Sequence, residues 1–145
     1  MRYLGVDLGD KRTGLALGDS ETRIAAPVDV IELPREREGG AALLRAIARA
    51  LEEHIGDGRA EIVLGLPLNM DGTEGDRAIM TRAFGQRLAA QTGRTVHYHD
   101  ERLSTAAADE KMARTGLTHG KKKARRDALA AAAMLQGFLD ERSSP

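Results

Sequence analysis

Residues 3–18 read YLGVDLGDKRTGLALG. Two short runs rich in Leu, Val and Ala, at 3–9 and 13–18, flank the turn Gly9-Asp10-Lys11-Arg12. This spacing predicts a tight β-hairpin. Alternation along the first strand sets Tyr3, Gly5 and Asp7 on one face, opposite Leu4, Val6 and Leu8. A carboxylate inside such a strand costs several kcal/mol unless it finds a partner, a proton or a metal. Asp7 is therefore either bonded to the turn amides of residues 9–11 or a ligand.

Beyond the hairpin, residues 27–33 predict a third strand that starts at Pro27 and ends before Pro34. Leu44, Ile47, Ala48, Leu51 and Ile55 recur at helical spacing after Gly39-Gly40, with Gly56 placed for a left-handed cap. Residues 61–66 are nearly all apolar and stop at Pro67, as in a central strand covered on both faces. A helix is expected over 74–92, with Met80, Ala83, Phe84 and Leu88 inward and Gly93 as its stop. A fifth strand over 95–101 follows, then a helix over 104–114 capped by Ser104 and a last helix over 122–139. Strands four and five alternate with helices, which implies parallel right-handed crossovers beside the first strand. The expected fold is α/β: a mixed five-stranded sheet whose first three strands are antiparallel, flanked by helices.

A chain of 145 residues, 41% hydrophobic and 30% charged, fits one globular domain, here expected over 1–140 with a frayed tail at 141–145. No run approaches ~18 apolar residues. Residues 1–10 already read as a strand, so neither a membrane span nor a signal peptide is expected. Cysteine is absent, which excludes disulfides, thiol nucleophiles and cysteine-ligated metal centres and agrees with a cytoplasmic setting. Lys plus Arg equals Asp plus Glu at 22 each, but residues 111–126 hold seven of the cations and no acid, leaving a net −7 elsewhere. An acidic body with one basic segment is the electrostatic footprint of a polyanion binder.

Glu101 closes the fifth strand, where open α/β sheets collect ligands at their carboxyl ends. Asp100 points to the opposite face; Glu101 is taken as the ligand and Asp100 as a rim or capping group, although alternation alone does not assign the faces. Asp127 begins the apolar stretch of the last helix and shares a face with Ala131, Met134, Leu135 and Phe138. Its competing reading is a charge partner at the start of the helix. Three carboxylates from separate elements repel one another unless cations neutralise them. Hard oxygen ligands favour Mg²⁺ or Mn²⁺. Two such ions about 4 Å apart would activate a water and stabilise the leaving oxygen of a phosphodiester.

Four blocks resemble the signatures of the YqgF family: Val6-Asp7-Leu8-Gly9 with Thr13-Gly14-Leu15-Ala16; Gly65-Leu66-Pro67-Leu68-Asn69-Met70-Asp71-Gly72-Thr73-Glu74-Gly75; Asp100-Glu101-Arg102-Leu103-Ser104-Thr105; and Asp127 with Ala128-Leu129-Ala130-Ala131. Members of that family are described as Holliday-junction resolvases and pre-16S rRNA nucleases. The resemblance spans essentially the whole chain. It implies an RNase H-like fold of the RuvC-resolvase type, with Asp7, Glu101 and Asp127 as a catalytic, metal-binding triad, and cytoplasmic endonucleolytic processing of the 5′ end of pre-16S rRNA.

Lys11 and Arg12 at the hairpin tip, Asn69 beyond the fourth strand, Arg102, and the run Lys121, Lys122, Lys123, Arg125 and Arg126 are the candidate nucleic-acid contacts. Such contacts are salt-sensitive and carry no sequence information. Asn69 with Asp71-Gly72 reads equally well as a plain turn, and Arg102 as a partner of Asp100 or Asp109. Two Tyr and two Phe leave little for stacking on bases, so weak sequence specificity is expected. A P-loop is rejected because Leu15 and Ala16 follow Gly14 where Lys and Ser or Thr belong. His97 and His99 alternate with Glu101 but read as ordinary strand residues rather than zinc ligands. Precursor rRNA is the favoured substrate and branched DNA the second. Resolution of a junction would need a homodimer, whereas trimming of rRNA is open to a monomer. A non-catalytic RNA-binding module is the third reading.

Overall fold

The computed structural model describes residues 1–102 and 119–143, with side chains described for 1–102 and 126–142. The expected helix over 104–114 lies outside the described residues. The opening hairpin pairs β1 (Arg2–Leu8) with β2 (Thr13–Asp19), Leu8 facing Thr13 and Asp7 facing Gly14. A Cβ on Gly9 would run into the Arg12 carbonyl, so the turn between them needs a glycine.

The third strand, β3 (Ile24–Ile31), lies antiparallel to β2 at the sheet edge. Pro27 sits inside it rather than at its start, opposite Ala16 where the register shifts between Leu15 and Ala16. An edge strand with a bulge tolerates a residue that lacks an N–H, which is why proline does not begin the strand here. After a 3₁₀ turn, α1 (Ala41–His54) ends at Ile55 and Gly56, the glycine at φ 67°. β4 (Ala60–Leu66), α2 (Asp76–Thr92) and β5 (Val96–Asp100) follow, and the chain closes on α3 (His119–Ser143). β1, β4 and β5 are parallel, and the sheet order is β3-β2-β1-β4-β5.

Among the described residues, the two larger cores lie on opposite sides of this sheet. Leu4, Val6, Leu8, Leu15, Ile62 and Leu64 pack with Leu43, Ile47 and Leu51 of α1 and Phe84 and Leu88 of α2. Tyr3, Ala16 and Val63 pack on the other side with Ala131, Met134, Leu135, Phe138 and Leu139 of α3. The inward face of α2 is carried by Ala78, Thr81, Phe84, Gly85 and Leu88, whereas Met80 is 45% exposed and Ala83 also faces out. Gly85 decides that rotation, since the Tyr98 ring lies where a Cβ would stand. Helix α3 continues through Glu141 and Arg142, past its expected end at 139. Arg142 lies over the Phe138 ring at 4.6 Å and reaches His97 Nδ1 at 3.2 Å, contacts that give a polar terminus a reason to stay helical.

Candidate active site

Glycines shape the side of the sheet that carries α3. A Cβ on Gly5 would stand 3.0 Å from Leu135 Cβ, and one on Gly18 would meet Leu135 and Leu139. One on Gly14 would strike the Asp127 backbone carbonyl. The helix therefore lies directly on β1 and β2, and Asp127, past its basic first turns, comes down on Gly14, the partner of Asp7.

Three acids arrive at this corner from different elements. Asp7 stands near the C-terminal end of β1 on the α3 side, since Leu4, Val6 and Leu8 are in the other core. Glu101 follows β5 directly. Val96 and Tyr98 pack toward the α1 and α2 side, while the His97 and His99 rings lie against Phe138 of α3. Alternation then carries Glu101 to the Asp7 side. Its Oε2 lies 2.8 Å from where a Cβ of Gly65 would be, so the absent side chain of Gly65 leaves its carboxylate room. The apolar character of Val96 and Tyr98, matched with Leu4, Val6 and Leu8, is the sequence signal that distinguishes Glu101 from Asp100.

A side-chain hydrogen bond joins the Asp7 and Glu101 carboxyl groups, and the raised Asp7 pKa puts the shared proton on Asp7. Burial first, then the charge of Glu101 and the bond to it, then the charge of Asp127, push the Asp7 pKa up to about 8, against a weaker opposing effect of Arg77. Asp127 Oδ2 accepts a hydrogen bond from Arg12 Nε at 2.9 Å. As the side chains stand, no group of three His, Cys, Asp or Glu among the described residues is arranged to hold a metal ion. One acid is protonated against the second, and the third is held by a guanidinium. The donor set nevertheless fits a hard divalent cation, being all carboxylate, and the raised Asp7 pKa reflects its burial first and the two neighbouring acids second.

The remaining candidates fall into three groups. Arg102 chelates Asp100, with Nη2 at 2.6 Å from Oδ2, and donates to the carbonyls of Asn69 and Met70. Its guanidinium holds the Asp100 carboxyl below the usual carboxylate range and ties the strand end to the 69–73 loop. Asn69 Nδ2 donates to Thr73 Oγ1, and Asp71 accepts from the Thr73 amide and hydroxyl, a self-contained turn with Gly72 at φ 86°. Arg12, expected to be directed at substrate, pairs with Asp127, because the short hairpin delivers it beside α3 past that helix's basic first turns. Lys11 and Arg126 are exposed, while Lys121, Lys122, Lys123 and Arg125 lie on the first turns of α3 with side chains outside the described residues. Arg77, in the first turn of α2, was not singled out by any motif; only the fold shows that its charge is felt at Asp7. His97 Nε2 meets Glu61 at 2.8 Å and His99 Nδ1 lies 3.3 Å from Glu141, so both histidines have partners away from the three acids.

The family model RuvX, described as Holliday junction resolvase, matches residues 1–141. A protein of Anaeromyxobacter sp. (strain Fw109-5) bearing the name "Putative pre-16S rRNA nuclease" is 46% identical over 142 residues, covering 98% of each chain. Among solved structures, the fowlpox virus resolvase in complex with Holliday junction DNA superposes with TM-score 0.61 at 12% identity, covering 99% of this chain and 100% of the viral one. Thermus thermophilus RuvC gives TM-score 0.54 at 14% identity, with 98% and 96% covered. At such identities the likeness is one of fold: the RNase H-like, RuvC-type arrangement of a mixed five-stranded sheet between helices.

Proposed function

The chain belongs to the RuvX family, also called YqgF, and from that premise we propose that it is a nuclease that hydrolyses nucleic-acid phosphodiesters, with the 5′ region of pre-16S rRNA as its substrate. The observation that carries this reading is the meeting of Asp7, Glu101 and Asp127, from β1, the end of β5 and α3, on one side of the sheet at its C-terminal edge. In this reading Asp7, Glu101 and Asp127 hold Mg²⁺ or Mn²⁺. Bound there, the ions supply Lewis acidity toward a phosphate oxygen and acidify water near neutral pH. The side chains themselves supply the enclosure. Gly14 and Gly65 leave room for the acids, burial of Asp7 strengthens its electrostatic interactions, and Arg102 with Asp100 holds the loop at the strand end. The basic start of α3, with Lys121, Lys122, Lys123, Arg125 and Arg126, is the proposed grip on the flanking strand.

Resolution of four-way DNA is the second reading, favoured by the description of the family model. It differs in needing two paired incisions and therefore two copies of the site. Purified protein with Mg²⁺ or Mn²⁺, offered labelled precursor rRNA, single strands and four-way junctions in parallel, separates the two. The expected result is cleavage of precursor rRNA, lowered more than about 100-fold in Asp7→Asn and Asp127→Asn while both variants stay folded. An Asp7→Asn protein that cuts as fast as its parent would sink the assignment, and preferential cutting of junctions by a dimer would replace RNA with DNA.

A further inference from the structure

Arg12 is expected on substrate but is found on an acid. Its side chain and that of Asp127 are 34% and 31% exposed, and the bond from Nε to Oδ2 joins a hairpin tip to a helix residue 115 positions away. The contact rests on fixed geometry: Gly9 closes the turn against the Arg12 carbonyl, and Gly14 seats the Asp127 backbone on β2. Other arginines of the described body hold carbonyls or acids outside this corner, Arg94 on Gly56, Gly58 and Ala60, Arg35 on Asp10 and Arg102 on Asp100. Arg12 instead takes an oxygen from one of the three convergent acids.

We propose that Arg12 is an exchangeable counter-cation: it closes on Asp127 when no divalent ion is bound, and turns to a substrate phosphate once an ion has taken that carboxylate. The inference rests on the reading of Asp127 as a metal-holding residue. An ion pair about a third exposed is partly screened by water, which leaves it weak enough for a divalent cation to displace. A hairpin tip lets the guanidinium swing outward, and its fork suits a phosphate as well as a carboxylate. One side chain would thus balance the pocket without metal and position the nucleic acid with it.

The test follows Mn²⁺ binding by electron paramagnetic resonance in the full chain and in Arg12→Gln, Arg12→Lys and Asp127→Asn. Removing the competing cation is expected to tighten Mn²⁺ binding about fivefold in Arg12→Gln, with Arg12→Lys near the parent and Asp127→Asn much weaker. In the parent, the ¹⁵Nε–H resonance of Arg12, assigned by its loss in Arg12→Lys, is expected to be protected without metal and to exchange freely when Mg²⁺ saturates the protein. With Ca²⁺ present, Arg12→Gln is expected to bind single-stranded RNA several-fold more weakly than the parent. An Arg12 resonance unchanged at Mg²⁺ saturation, or Mn²⁺ binding unaltered or weaker in Arg12→Gln, overturns the exchange and makes Arg12 a fixed brace for Asp127. Mn²⁺ binding that survives in Asp127→Asn overturns the metal reading itself, an outcome distinct from the first.

Discussion

Asp7 makes pH a readout of the pocket. Its carboxyl titrates near 8 in the folded chain against 3.8 when unperturbed, so between those values the folded state holds a proton that the unfolded state has lost. Stability from this group is fully present below about pH 4 and is lost as pH rises toward 8. Asp71, Glu74 and Asp100 are shifted downward, and their contribution changes only on the acid side of this window. Thermal unfolding of the metal-free protein should therefore show a melting temperature that falls from pH 5 to pH 8. Asp7→Asn, which mimics the protonated acid and still donates to Glu101, should flatten that slope and be more stable than the parent at pH 8 by about 2 kcal/mol. A parent and variant with parallel pH profiles would show that Asp7 carries no displaced proton.

At the scale of elements, the decisive contact is between α3 and the hairpin. A methyl group at Gly14 meets backbone, which cannot rotate away, whereas one at Gly5 meets Leu135 Cβ at 3.0 Å and its flexible Cδ2 at 3.2 Å. Gly14→Ala should cost about 3 kcal/mol or more, a fall in melting temperature on the order of 10 °C, and Gly5→Ala clearly less. By lifting α3 at Asp127, Gly14→Ala should also suppress cleavage in whatever fraction stays folded. Equal melting temperatures for the two variants would mean that the helix at Asp127 yields more easily than the packing implies. Edges were less legible than centres. β4 and the hairpin follow directly from their apolar runs, whereas β3 absorbs Pro27 through a bulge and α2 turns Met80 outward to seat Gly85 on Tyr98, choices made by neighbours distant in sequence.

For the whole molecule, charge is the larger design. The cations concentrated in residues 111–126 stand against a net −7 elsewhere, so a polyanion is attracted to that segment and repelled by the rest of the chain. Replacing Lys121, Lys122 and Lys123 together by Ala should weaken binding to RNA and DNA alike and reduce the slope of log affinity against log salt by about 2 to 3. Melting temperature should barely change. An unaltered salt slope would show that these lysines do not touch phosphate.

The order of strands, the two-sided burial of β4, the position of Asp7 in its strand and the asymmetry of charge were all determined by sequence. Each depends on periodicity, turn chemistry or composition within a short window. That Glu101 rather than Asp100 meets Asp7 was already carried by the apolar Val96 and Tyr98, whereas that Arg12 closes on Asp127 rather than pointing outward, and that Arg77 is felt at Asp7, were decided only when the chain packed. Those facts depend on how closely one helix approaches a sheet, and that distance is set by the missing side chains of Gly5, Gly14, Gly18 and Gly65 acting together across the fold.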